Sequence, residues 1–317
     1  MKKQFDFIGH RRLFLIISLV IIVAGILCSI LMPIQLDIEF KGGTLVRYSF
    51  TGELDEEQVD EFVSEQLGRS VEVPPFSQDM SGLSLIEIPL PDQLTVDELD
   101  ALHAAMAEQY GDHDITLVQA NSLKPSMGRN FLLKCLVAIA LAAIFLVIYV
   151  ALRFRKIGGW SAGAMAVAAL LHDLLIAFFA FVVFRIPLDD NFVAVLLSIL
   201  GYSLNDTIGV YGRIRENRRL MDRKTPLSDI VNLSLNQSFT RTLNTSVCTF
   251  LAIGTVAVIA LAMNIDSLVS FAVPMMFGIV SGFYSSVCLS TPVWALWQEH
   301  RDKKAAQKKA AGKKAKA

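Results

Sequence analysis

Four ionisable side chains, His172, Asp173, Asp206 and Arg241, stand inside or at the edge of runs that are otherwise apolar enough to be lipid-embedded helices. A charged group at mid-bilayer costs at least about 2.5–3.5 kcal/mol on insertion scales, so such residues face a protein interior or a water path and mark ion pathways by default. Asp206 has Tyr202 one turn before it, Asn205 beside it and Gly209 three residues on. Small residues at that spacing let a second helix approach closely. Arg241, Thr245 and Thr249 recur every four residues, which draws one polar stripe down a helix. Arginine keeps its proton inside proteins, so Arg241 is a fixed charge, and Asp206 is its best carboxylate partner by depth. Burial opposes charge on a carboxylate and a nearby guanidinium supports it, a balance that suits a group which gains and loses an ion. The plainer alternatives are an Asp206 that simply stays protonated and an Arg241 that snorkels to the headgroups. Adjacent residues on a helix point about 100° apart. His172 and Asp173 are therefore expected to face different neighbours, as an interhelical hydrogen-bond pair or as proton-transfer groups.

Other chemistry has little footing. Cys28, Cys135, Cys248 and Cys288 all lie in apolar runs and match no zinc spacing, which reads as small buried hydrophobes and no metal centre. No phosphate-binding glycine loop and no Gly-x-Ser-x-Gly nucleophile motif is present. His103 and His113 straddle a predicted helix end and read as surface histidines.

The elements that must hold these residues are mostly membrane spans. The chain has 317 residues, 53% of them hydrophobic, and a net charge of −1 that conceals strong segregation. Each span needs about 20 apolar residues, and six such runs are expected at 13–32, 131–152, 160–184, 191–211, 245–263 and 268–294. The first follows Lys2, Lys3, Arg11 and Arg12 and is longer than a signal-peptide core, so it is expected to remain as an anchor. Residues 33–130 form one polar segment with 19 Asp and Glu against 5 Lys and Arg. Its pattern reads strand 44–50, helix 53–67, strands 71–76 and 83–88, helix 95–110 and strand 115–120. The second helix starts at a capping box, Thr95 with Glu98, and the order βαββαβ is ferredoxin-like. The fold expected is thus a six-helix membrane bundle with a small extracytoplasmic α+β domain, divided as 1–32, 33–130, 131–297 and a basic tail 298–317. Gly42–Gly43 and the stretch Pro125 to Gly128 are expected to hinge the domain to the bundle. The segment 213–240 is expected to form short amphipathic helices on the inner membrane face. The tail KKAAQKKAAGKKAKA is expected to be disordered or marginally helical, in contact with solvent or anionic lipid.

Lys and Arg in short loops set orientation. Arg153, Arg155 and Lys156 follow the second span, six basic residues lie between 213 and 224, and the tail is lysine-rich, whereas the loop after the third span offers Arg185 alone. Both termini are therefore expected in the cytoplasm and the acidic domain outside it.

Several of these strings resemble a known family. GYSLNDTIGVYGRIREN at 201–217, LNQSFTRTLNTS at 235–246, ALLHDLLIAF in the third run, KPSMG before the second, SGFYSSVC in the sixth and EFKGG at 39–43 are similar, in order, to motifs of the SecD/SecF family, of the SecF type. The likeness covers nearly all of the chain except the tail. It implies the resistance–nodulation–division fold and a non-enzymatic accessory of the Sec translocase that uses the proton-motive force, or sodium, to help draw secreted chains outward. It also implies SecD and SecYEG as partners, with YajC and YidC as further ones, and a bacterial inner-membrane location. By the same likeness Asp206 becomes the coupling carboxylate and Arg241 its essential arginine, with His172, Asp173, Asn205 and Thr245 in support. Three positions depart from the family pattern: Gly212 stands where an Asp is usual, and Glu39 and Lys41 stand where Asp and Thr are common. The competing expectation is a small-molecule efflux subunit of the same superfamily, which six spans and one small outer domain disfavour. A purely structural subunit is the third.

Overall fold

The computed structural model describes residues 5–71, 73–78, 83–123, 125–222, 225–263 and 265–314. Six helices are long and apolar enough to cross a membrane: α1 (Arg11–Leu31), α5 (Pro125–Arg153), α6 (Gly159–Val183), α7 (Asp190–Leu220), α8 (Leu227–Ala262) and the sixth span, which starts with α9 (Asp266–Tyr284). The sixth continues through a π-helical turn, Ser285–Ser290, into α10 (Thr291–Lys314). Pro292 explains the wide turn. A proline cannot donate to the carbonyl four residues back, here Cys288, and its ring collides with it in a regular α-helix. A π turn lets the backbone step around that carbonyl.

Helices α6 and α7 and the sixth span form the buried centre, while α1, α5 and α8 present leucine, isoleucine and valine outward, as lipid-facing helices must. An inner cluster gathers Phe154, Tyr211, Ile214, Val231 and Trp294, and an outer one gathers Phe181, Phe192, Ile199 and Ile279. Glycines set the closest approaches. A Cβ on Gly278 of α9 would lie 2.2 Å from Ile199 Cδ1 on α7, and one on Gly25 of α1 would lie 2.1 Å from the Phe179 ring.

Between α1 and α5 lies the α+β unit. The short helix α2 (Ile38–Lys41) precedes β1 (Gly43–Phe50), α3 (Glu56–Leu67), β2 (Ser77–Gln78), β3 (Ser84–Leu90), α4 (Val96–Gln109) and β4 (Thr116–Leu123). The sheet is antiparallel in the order β2-β3-β1-β4, the ferredoxin-like topology. Val46, Tyr48, Ile86 and Ile88 from its inner face pack on Val59, Val63, Leu102 and Met106 from α3 and α4. The capping box forms: Glu98 N donates to Thr95 Oγ1 at 3.3 Å, and Thr95 N donates to Glu98 Oε2 at 2.8 Å. That backbone hydrogen bond, with the Thr95 hydroxyl, holds the Glu98 carboxyl below the usual range. On the other sheet face Arg47 pairs with Glu87 at 2.7 Å. Burial pushes the Glu87 carboxyl up, Arg47 opposes the shift, and the acids Asp266 and Asp37 add to it. This face therefore looks toward Asp37 and toward Asp266 at the start of α9.

Four expectations change. The strand expected at 71–76 is displaced to Ser77–Gln78, because Pro74 and Pro75 cannot donate to a ladder. The segment 213–240 is no set of separate short helices but the C-terminal end of α7 and the N-terminal end of α8, extended well past the hydropathic runs and packed together. The tail is helical as far as Lys314, as part of α10. The second linker is already helix, since α5 begins at Pro125, where a proline's missing N–H is harmless. Gly128 therefore lies within α5 rather than in a hinge. The first linker keeps its character: Gly42 and Gly43 have φ of 79° and 132°, and a Cβ on Gly43 would lie 2.2 Å from the Leu90 carbonyl oxygen. Just before them, Leu36 bridges to Leu188 and Phe40 is buried in the outer cluster, so the chain is anchored up to the glycine pair.

Candidate functional site

Asp206 lies on the α8 side of α7, 5% exposed. Its Oδ2 is buried without a hydrogen-bond partner among the described residues. Arg241 and Ser246 of α8 are the groups that act on the carboxylate, and Tyr202, one turn back, donates to Ser246 at 2.9 Å. The expected partnership is thus one of proximity. Among the described residues Arg241 makes no ion pair within 4.0 Å of Asp206. Its guanidinium instead passes Gly209, where an added Cβ would be 3.9 Å from Nη2. Arg241 and Thr245 are exposed on the outer face of α8 and Thr249 is half-buried. The two threonines satisfy themselves by donating to the carbonyls four residues back, at 3.0 and 2.9 Å. Asn205 is exposed on α7, and nothing lies within 4 Å of where a Cβ would stand on Gly201 or Gly212. The small-residue face seen in the sequence, at Asp206 and Gly209, thus meets α8, while a second face with Gly201, Asn205 and Gly212 is open.

About 60° round α7 from Asp206, at Ser203, is a closed polar centre. Asp173 of α6 is 0% exposed. Ser203 of α7 and Ser285 of the π turn donate to its Oδ2 at 2.5 and 2.7 Å, and Ser281 of α9 donates to Oδ1 at 2.6 Å. His172 Nδ1 lies 3.2 Å from Asp173 Oδ1 and 3.3 Å from Ser281 Oγ. The two residues thus share Ser281, contrary to the expectation of separate neighbours, because long side chains on adjacent positions can lean to one intervening helix. His172 Nε2 is buried without a partner among the described residues.

From this centre a hydroxyl seam continues between α7 and the sixth span. Thr207 meets Ser286 at 2.9 Å and Tyr211 meets Ser290 at 3.1 Å, one turn apart on α7. Trp294 Nε1 then donates to Ser161 at 3.1 Å. Sequence reasoning passed over these serines, since a serine in an apolar run is cheap and carries no signal by itself. The pattern 203, 207, 211 at helical spacing against 281, 285, 286, 290 could have revealed the seam. It also passed over the first residues as anything but charge carriers. Phe5 N and Phe7 N donate to Asn236 and Asn232 of α8, each at 2.9 Å, and Phe7 and Ile8 are buried in the inner cluster.

Comparison with known proteins gives a consistent result. Residues 103–300 match the family model described as protein export membrane protein SecD/SecF, C-terminal. A protein translocase subunit SecF from Alicyclobacillus acidocaldarius is 32% identical over 96% of this chain and 96% of its own length. The protein translocase subunit SecDF of Bacillus subtilis is 30% identical over 95% of this chain, which spans 39% of that relative. Among solved structures, SecDF from Thermus thermophilus superposes with a TM-score of 0.75 at 26% identity, covering 94% of this chain and 39% of that one.

Proposed function

The chain belongs to the SecD/SecF family of protein-export membrane proteins, and on that premise we propose that it is a SecF-type accessory subunit of the Sec translocase, with Asp206 and Arg241 as its ion-coupling pair. The observation that carries the reading is Asp206: a carboxylate buried within a spanning helix, one oxygen unpartnered among the described residues, beside a fixed cation on the next helix. Taking or losing an ion there changes the charge buried between α7 and α8 and so biases their packing. The driving force suffices. One charge crossing ~150 mV yields about 3.5 kcal/mol at roughly 2.3 per 100 mV, a bias of roughly 300-fold. The ion is a proton in this reading, with sodium as the alternative. His172, Asp173, Asn205 and Thr245 support the pair, and the domain moves about Gly42–Gly43.

The open faces of α7 and α8 suit a second set of membrane helices. In relatives named SecDF, the part matching this chain is about two-fifths of a longer polypeptide. A separate SecD-type protein is accordingly proposed to cover Gly201, Asn205, Arg241 and Thr245. SecYEG, with YajC and YidC, are proposed as further partners, and an unfolded exported chain as the substrate. The basic loops support an inner-membrane location with both termini in the cytoplasm. The efflux alternative is not favoured, since the relatives carry translocase names.

The test is late-stage export in inverted vesicles with and without an uncoupler. Asp206→Asn should abolish the uncoupler-sensitive part while the protein remains inserted. Normal uncoupler-sensitive export by stably expressed Asp206→Asn protein would overturn the assignment.

A further inference from the structure

We propose that Asp173 and His172 together form a second proton-holding centre, distinct from Asp206 and linked to it through α7. The inference rests on the export reading only for its purpose, since the centre is defined by its own geometry. The carboxylate is fully enclosed near the middle of α6, and the only basic group within 4.0 Å among the described residues is the His172 imidazole. No lysine or arginine among those residues locks it in the ionised form. The pair is neutral when it holds one shareable proton, on His172 Nδ1 with Asp173 ionised or on Asp173 Oδ1 with His172 neutral. The hydrogen passes between two atoms 3.2 Å apart and no other bond changes.

The hydroxyl shell accommodates either state. A serine hydroxyl donates and accepts, so Ser203, Ser281 and Ser285 can all donate to an ionised Asp173. When Oδ2 carries the proton, its O–H can donate to Ser285 Oγ at 2.7 Å. Ser285 then turns its own hydrogen to the Gly282 carbonyl, already 3.3 Å away. The same hydroxyl therefore has a partner in both states. His172 Nε2, buried and unpartnered among the described residues, carries the imidazole's other hydrogen in both states and can donate it to a water.

Helix α7 carries the linkage. Ser203 holds Asp173, and Asp206, three residues later and about 60° round the helix, meets Arg241 and Ser246. Loading Asp173 alters the hold on Ser203 and with it the rotation of α7 that sets Asp206 against α8. The other titratable groups nearby are few. The Tyr284 ring lies tilted with its centre 6.2 Å from that of His172 and its hydroxyl donates to the Phe14 carbonyl of α1 at 2.6 Å, and Cys288 is close to Tyr284.

The test is infrared difference spectroscopy of the full chain in lipid nanodiscs across acidic to alkaline pH, reading the C=O stretch of buried protonated carboxyls. Two titrating bands are expected. One should vanish in Asp206→Asn. The other should persist there, vanish in Asp173→Asn, and move its midpoint by at least about one pH unit in His172→Gln. Should Asp173→Asn fail to fold, the midpoint shift in His172→Gln carries the assignment. The proposal fails if Asp206→Asn removes every titrating band, or if the persisting band ignores both pH and His172→Gln, as a fixed anchor would. It also fails if sodium, compared with choline at constant pH, displaces that band, since the centre would then be a cation site. Absence of the Asp206 band alone in the wild type would sink the coupling role of Asp206 and leave this centre standing.

Discussion

Gly278→Ala should destabilise the bundle, and Ile199→Ala should cancel the effect. The added methyl would sit 2.2 Å from Ile199 Cδ1 and 2.5 Å from Cγ1, against a contact distance of about 3.5–4.0 Å. Rotating χ2 moves Cδ1 aside, but Cγ1 is attached to Cβ and moves only with χ1. In a helix a β-branched side chain has essentially one χ1 well. Helix α7 cannot retreat freely, because Ser203, one turn on, is held by Asp173 at 2.5 Å and packs on Gly282 of α9. The overpacking should therefore cost about 1–3 kcal/mol. Ile199→Ala alone should cost about 2–5 kcal/mol by opening a cavity. In that background the methyl added by Gly278→Ala fills space instead of colliding, so its effect should be neutral or favourable. Ile199→Val should rescue only in part, since it keeps a γ-carbon. Thermal unfolding of wild type, both single variants and the double variant in one detergent gives the coupling, expected at about 2 kcal/mol or more. Equal destabilisation by Gly278→Ala with and without Ile199 would refute the claim that this glycine sets the α7–α9 approach.

Two further outcomes are expected. Thr95→Ala should cost about 1 kcal/mol by removing the α4 cap, read as faster amide exchange in α4. Because the Glu98 carboxyl is held low in the folded state, its share of the box is complete above the ordinary glutamate range and lost as pH falls through the lowered value. The difference between wild type and variant should therefore shrink at acid pH, and a pH-independent difference would contradict the box. Replacing Asn232 and Asn236 together by Ala should release residues 5–8 from α8, read as protease cleavage there in inside-out vesicles. Unchanged protection would mean that Phe7 and Ile8 hold the segment alone.

What the sequence disclosed followed the strength of each physical signal. Spans were legible because each must be long and apolar, and the capping box because Thr95 and Glu98 occupy fixed positions relative to the helix start. The ferredoxin-like order was readable from alternating periods even though β2 was misplaced by the Pro74–Pro75 pair. Helix ends were not legible in α7 and α8. Hydropathy reports where lipid ends, while Asn217, bonded to Ser234 at 2.8 Å, shows the helices pairing beyond it through polar contacts. Asp206 announced itself as a lone acid in an apolar run. The shell around Asp173 did not, since Ser203 comes from α7 and Ser281 and Ser285 from the sixth span, far apart in the chain, and only folding brings them to one carboxylate.

The π turn has a consequence for how the sixth span tolerates change. Each residue of an α-helix advances the face by 100°, and a π turn absorbs one residue more than an α-helix of equal rise. Everything beyond Ser290 is therefore out of phase by one residue with everything before Tyr284. The span is two correctly aimed half-helices joined by a fixed offset: Ser281 and Ser285 above aim at Asp173, and Trp294 below aims at Tyr211 and Ser161. Deleting a single residue between 285 and 290 would remove that absorbed residue, let the helix run as a regular α-helix and leave Trp294 still aimed at its socket. A one-residue deletion between Thr291 and Val293 has no such slack and would swing Trp294 about 100° away.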